Sequence, residues 1–373
     1  MKDAVNALKG ELERLRGEVR ELALAASRKA GFGLSWGRIF PISSNFSTSH
    51  RITRLLFDVD RRHPPCNLSP SMKTTKAFFF AMGLGLAVSA GAAEAKVLKV
   101  GTKPESVCRG FGGKLYVTMI NAEEPGDGGI NVIDGDKIKE FCRGMNSPKG
   151  IAFVGGFLVT ADETTVWKVD KKGKTTKLAE KKDFLNEIEF LNDVVASRDK
   201  KSVYVTEMST PGPMFNPEKE RTLWPIGSKQ DKELPRKGCV YRVTLDGKVT
   251  LAVPAGNKLL RFPNGVTVTG KKDEEILVMA DFFTGNIVAY NNEKFRVLAK
   301  GMRGADGLAF GNGVIYVSSW PLGKVWKYDR KTKKTTVLTD KFTTAADFFY
   351  DRKNKQLIIP DMLEGTLTFL PVE

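Results

Sequence analysis

Residues 263–281 read PNGVTVTGKKDEEILVMAD and residues 305–319 read ADGLAFGNGVIYVSS. Each has a polar residue before glycine, a short strand-like run, a Gly- or Lys-rich turn and a second apolar run. That is the pattern of two antiparallel strands joined by a hairpin. Working outward, the same phrase recurs as PESVCRGFGGKLYVTM from 104, PKGIAFVGGFLVTAD from 148, LNDVVASRDKKSVYVTE from 191 and ADFFYDRKNKQLIIPD from 346. A third and often a fourth strand-like run follow in each copy, as in TVWKVDKKGKTTKLA and KVWKYDRKTKKTTVL. Four antiparallel strands in about 42 residues is the period of a propeller blade. The expected fold is therefore all-β, a six-bladed β-propeller over residues 96–373. The last copy has only three strands before the chain stops. The strand-like KVLKVGTK at 96–103 has no blade of its own, so it is expected to complete blade six and leave no open sheet edge.

The segment ahead of that strand has a different grammar. Residues 72–95, MKTTKAFFFAMGLGLAVSAGAAEA, combine two lysines, an apolar run and Ala93 and Ala95 at a small-residue cleavage site. They read as a secretory signal peptide, an uncleaved anchor being the competing reading. Residues 1–71 begin with a short heptad stripe (Val5, Leu8, Leu12, Leu15, Val19, Leu22) and then lose all period. They read as a non-native or disordered N-terminal extension with a short heptad helix. The expected location is periplasmic or secreted, with no stable membrane association after signal cleavage.

Formal net charge is +16. The lysines fall in short runs between strands, such as KKGKTTK at 171–177, where solvated turns belong, and no aromatic-and-basic motif accompanies them. Nucleic acid is thus not an expected partner. Both histidines, His50 and His63, precede the signal, so the propeller contains no histidine. Histidine general bases, Ser-His-Asp triads and histidine-ligated zinc or haem are excluded from it. Cys108, Cys142 and Cys239 are an odd set, compatible with one disulfide and a free thiol or with three buried thiols.

The second position of the repeat reads Glu105, Lys149, Asn192, Asn264, Asp306 and Asp347. Each begins an innermost strand, so the six side chains ring the axis near one mouth of the channel. Glu, Asn, Asn and Asp oxygens suit a hard cation such as calcium rather than zinc or copper. In this register, PNG at Asn264, DG at Asp306, ND at Asn192 and Glu105 of PES resemble the SMP-30/gluconolactonase/LRE family of six-bladed propellers, related to strictosidine-synthase-like and paraoxonase propellers. The resemblance implies that Glu105, Asn192, Asn264 and Asp306 bind a divalent cation, most often Ca2+, and that Asp306 acts as general base on a lactone or ester. Two departures stand out: the usual Glu-Gly-Pro and tryptophan opening is here ESVCRGF, and Lys149 places an ammonium in the ring, where it would repel a metal or pair with Asp347.

A second column, at the end of the second strand, reads Met119, Asp162, Glu207, Asp281, Ser319 and Asp361. Its acids either cap turns through backbone hydrogen bonds or hold Lys149 or a substrate, with Asp281 the first candidate contact and Glu207 another. The interval from Asn192 to Asn264 is about 30 residues longer than the others, and long excursions from a rigid scaffold often carry binding. This insertion, MSTPGPMFNPEKERTLWPIGSKQDKELPRK, is expected to lay an apolar lid of Met214, Phe215, Leu223 and Trp224 over the ring. Two functions remain open: an exported, divalent-metal-dependent hydrolase of a small-molecule lactone or ester, and a non-catalytic periplasmic binding or scaffold propeller with a structural ion or none.

Overall fold

A computed structural model of the chain describes residues 95–372. The extension assigned to residues 1–71 and, apart from Ala95, the signal assigned to residues 72–95 lie outside the described residues. Within them the chain forms six four-stranded antiparallel sheets, each built in sequence order from an inner strand outward. The last sheet departs from that order in the expected way. Its outer strand is Lys96–Lys99, paired with Thr366–Pro371 in the register Lys96↔Phe369 to Lys99↔Thr366. The N-terminal strand thus closes the ring.

The burial pattern follows from the stacking of blades. The second strands of blades three and five, Ser202–Glu207 (SVYVTE) and Val314–Ser319 (VIYVSS), are buried at every residue, because both faces of a middle strand meet neighbouring blades. Outer strands face water and lose that continuity, as Thr335–Thr339 does. Six apolar clusters result, each bridging one neighbouring pair of blades. Blades two and three, for example, meet through Val159, Val166, Val203, Val205 and Tyr241. A seventh lies under the insertion, around Met214, Phe262, Phe282 and Phe283. Burial of this kind stabilises by roughly 25 cal/mol per Å² of apolar surface, so the inter-blade seams hold the ring together.

The inner strands carry an irregularity that the repeat alone does not disclose. In blades one, three, four and five the ladder slips at the site residue, between Pro104 and Val107, Leu191 and Val194, Pro263 and Val266, and Ala305 and Leu308. Each slip is a β-bulge, which re-aims a side chain and leaves a backbone N–H unpaired. A hydroxyl on the second strand takes up that N–H in three blades: Thr118 Oγ1 accepts from Ser106 N at 2.9 Å, Thr206 Oγ1 from Asp193 N at 2.9 Å, and Ser318 Oγ from Gly307 N at 2.8 Å. In blades two and six the regular ladder starts only at Ile151 and Phe349, so Lys149 and Asp347 precede their strands instead of beginning them.

Around the axis neighbouring inner strands approach closely. Gly150 N donates to the Asn192 carbonyl at 3.1 Å, and Val266 N to Asp193 Oδ2 at 2.6 Å. Ser318 Oγ donates to the Ala346 carbonyl at 2.8 Å, and Ser106 Oγ to Asp347 Oδ2. The glycine after each polar residue in KG, NG and DG reflects this approach. A Cβ on Gly265 would stand 2.0 Å from the Asp306 carbonyl oxygen, and one on Gly150 2.4 Å from Val194 N.

Candidate functional site

The four bulged strands deliver Glu105, Asn192, Asn264 and Asp306 to one cavity of about 260 Å³ at the mouth of the channel. All four side chains are buried. Glu105 Oε2, Asn192 Oδ1, Asn264 Oδ1 and Asp306 Oδ1 are each shielded from solvent and have no hydrogen-bond partner. A buried oxygen without a donor costs about 1–3 kcal/mol, and four facing one space call for a positively charged or donor-rich occupant. Asn192 Nδ2 lies 3.4 Å from Met208 Sδ, which leaves its carbonyl oxygen to the cavity. Among the described residues no three His, Cys, Asp or Glu side chains come together as a metal centre. The ring has two carboxylates, and its other two oxygens are amides. This all-oxygen set fits a hard cation.

Electrostatics point the same way. Burial, then the nearby Asp306 and Asp347 charges, hold the Glu105 carboxyl well above the usual carboxylate range. Burial, then Asp347 and Asp193, do the same to Asp306. Asp193 is raised by burial and by Asp347, and Asp347 is pushed up to about 6, chiefly by burial. These last two acids border a second cavity of about 330 Å³ in the far half of the channel and take inter-blade hydrogen bonds. Asp347 therefore sits outside the site cavity and does not pair with Lys149. The Lys149 ammonium lines the site cavity, donates to Ser147 O at 3.2 Å and Ser147 Oγ at 3.0 Å, and lies 4.5 Å from the Phe190 ring centre. Burial lowers its pKa while Glu105 opposes the shift.

The second column performs the turn-locking role in each acidic blade. Asp281 accepts from Arg261 N, from Phe262 N at 2.8 Å, and from Thr284 N and Oγ1, both at 2.7 Å. It is fully buried and turned toward the chain ahead of Asn264, so it does not reach the cavity as the expected substrate contact. Glu207 binds Phe190 N and Ser209 N, Asp162 binds Asn146 N, and Asp361 binds Thr343 N and Thr344 N. In these four blades the acid anchors the backbone just before its own blade's site residue. Burial raises Glu207 to about 7. Asp281→Ala would strand the buried Arg261, Phe262 and Thr284 amides. It is expected to destabilise the protein by roughly 3 kcal/mol, measured by urea unfolding.

Alternation along the strand explains what the second column missed. The residue after each anchor points the other way, into the mouth. Ile120, Glu163, Met208, Phe282, Trp320 and Met362 follow Met119, Asp162, Glu207, Asp281, Ser319 and Asp361, and all six line the cavity. A one-residue offset from a column already visible in the sequence would have found them.

Besides Met208 at its start, the insertion contributes Pro211 and Phe215 to the cavity but not Trp224. Met214 and Leu223 are buried beneath it, and the Trp224 carbonyl accepts from Arg303 NH2 at 2.7 Å. Part of the lid is thus the expected one, and the tryptophan serves to fix it in place. The insertion is tied down by the buried Arg261–Asp231 ion pair and by Arg221 donating to the Thr343 carbonyl. The three propeller cysteines are buried free thiols, with no disulfide among the described residues.

The profile of the SMP-30/Gluconolactonase/LRE-like region matches residues 130–359, more than half of the chain. That span holds Asn192, Asn264 and Asp306 but not Glu105. Among solved structures, the chain is similar to XC5397 of Xanthomonas campestris, described as a gluconolactonase important in glucose secondary metabolic pathways. Identity is 17% over 77% of this chain and 93% of that one, with a TM-score of 0.55. It is similar also to a luciferin-regenerating enzyme, at 12% identity over 74% of this chain and 94% of that one, with a TM-score of 0.52. At such identities the likeness is one of fold. No curated protein sequence matches the chain. Six closed blades and the profile match together place the chain in the SMP-30/gluconolactonase/LRE-like family.

Proposed function

We propose that the protein is a divalent-metal-dependent hydrolase of a lactone or ester, with calcium the cation best suited to its donors. The observation that carries the reading is the set of four orphaned oxygens, from Glu105, Asn192, Asn264 and Asp306, facing one cavity. Membership of the family and the gluconolactonase among its fold neighbours support the reaction class. A cation held there supplies Lewis acidity toward a carbonyl oxygen.

The remaining work belongs to the chain. Asp306, the carboxylate to which the family resemblance gives the role of general base, takes a proton from an attacking water. Lys149 spends two of its three N–H bonds on Ser147 and has one left for a substrate oxygen. The apolar side chains at the mouth exclude bulk water, which strengthens each of these interactions. We further propose that residues 72–95 direct export, so that the working protein is periplasmic or secreted, acts on a small molecule and binds no nucleic acid.

The test is metal content and thermal unfolding with and without chelator, beside a screen of lactones and esters. Stoichiometric calcium with chelator-sensitive hydrolysis supports the reading, and an ion-free protein with an empty screen sinks it.

A pH dependence follows. Folding raises the pKa of Glu105 and Asp306 above their unfolded values, so the metal-free protein loses stability as pH rises from about 4 through those raised values. The ion requires the ionised carboxylates and displaces their protons. The rise in melting temperature on adding calcium is therefore expected to be larger at pH 8 than at pH 5, read by differential scanning fluorimetry.

A further inference from the structure

We infer that the substrate of this site carries an apolar, preferably aromatic, group beside its scissile carbonyl and is not a polyhydroxylated sugar lactone; this rests on the hydrolase reading above. The wall-forming column has an apolar side chain in five of six blades, the exception being Glu163 in blade two. Phe215 from the insertion completes an aromatic arc. Its ring meets Phe282 edge-on at 5.9 Å and Trp320 at 6.1 Å. The one polar atom of that arc is committed, since Trp320 Nε1 donates to Met362 Sδ at 3.0 Å. Polar groups are confined to the floor and to the side of blades one and two, where Glu123, Ser147, Lys149 and Glu163 lie.

The arc is prebuilt. Phe215 bridges to Leu223 across the insertion, Phe215 N donates to the Gly212 carbonyl at 3.1 Å, and Trp224 N donates to the Met214 carbonyl at 3.0 Å. Arg221 ties the far end to Thr343. A rigid aromatic wall binds a flat apolar group at little entropic cost. A cavity of about 260 Å³ exceeds the roughly 150 Å³ that accommodates benzene, leaving room for a lactone ring fused to an aromatic one. A sugar lactone seated with its carbonyl at the ring would set some of its hydroxyls against the arc, where no partner exists. A single unpaired hydroxyl lowers kcat/KM by about tenfold or more.

The experiment compares kcat/KM for dihydrocoumarin and glucono-δ-lactone in the full protein and in Phe215→Ser and Phe215→Leu, with calcium content and melting temperature checked for each. The aromatic lactone is expected to be favoured by at least about tenfold. Phe215→Ser should shrink that ratio by about tenfold while Phe215→Leu largely keeps it. A preference for glucono-δ-lactone, or a ratio unmoved by Phe215→Ser in a folded, calcium-loaded protein, overturns the inference. If neither lactone is cleaved, the hydrolase reading fails. The ring-opened acids, 3-(2-hydroxyphenyl)propanoate and gluconate, then decide the pocket's chemistry by calorimetry. Tighter binding of the aromatic acid, lost in Phe215→Ser, upholds the apolar preference, and equal or absent binding overturns it.

Discussion

Replacing Asp306 with asparagine is expected to raise the stability of the metal-free protein and to remove its hydrolytic activity. The side chain keeps its shape, so the bulge at Ala305–Leu308 and the close approach of Gly265 to the Asp306 carbonyl are undisturbed. What changes is a buried charge. Burial, Asp347 and Asp193 all disfavour the Asp306 carboxylate, and an amide escapes those costs. The gain is absent well below pH 4, where the acid is protonated in folded and unfolded chains alike, and grows as pH rises. At pH 8 it should be at least about 1 kcal/mol, a rise of roughly 2 °C or more in a domain of this size. Activity should fall by about 100-fold or more, and the calcium-induced shift in melting temperature should shrink with it. A purely structural residue would not give these opposite signs, so fluorimetry at two pH values beside a lactone assay tests the role directly. A variant that keeps full activity removes Asp306 from the chemistry.

The second large effect belongs to a residue without a side chain. Gly265→Ala puts a Cβ 2.0 Å from the Asp306 carbonyl oxygen. Neither strand can yield easily. Val266 N is bonded to Asp193 of blade three, and Gly307, next to Asp306, is itself packed closely against Asp347 of blade six. Overpacking of this kind costs about 3 kcal/mol when the neighbour is backbone, and here the displaced strand also carries the site. The expected result is a fall in melting temperature of about 6 °C with weakened calcium binding. Gly212→Ala, where a Cβ meets nothing within 4 Å, is the control and should melt as the parent does. Equal behaviour of the two variants would show that blades four and five can separate without harm.

Much of this arrangement is legible in the chain before folding. Six repeats of a polar residue, a strand, a turn and a strand specify the blades, because hairpins are local and their alternation has a fixed period. The leftover strand at Lys96–Lys99 and the three-stranded last copy specify the closure. The column of Glu105, Asn192, Asn264 and Asp306 is visible too, since equivalent positions in a closed ring must face a common axis.

Direction and neighbourhood were settled only in three dimensions. The bulges at Pro104–Val107 and its three counterparts add one residue to the inner strand, so counting by twos fails at the site itself. Asp281 and Phe282 differ by one position. Alternation sends the acid back to Arg261 and Phe262 and the ring forward into the cavity. The insertion's course was invisible because contacts such as Arg221 to Thr343 and Arg303 to Trp224 join residues far apart in sequence. The sequence by itself determined the repeat, the closure and the site column, all products of local periodicity. The tertiary structure alone decided which acids face water, backbone or cavity, and where the insertion ends, because those depend on what packing brings to each side chain.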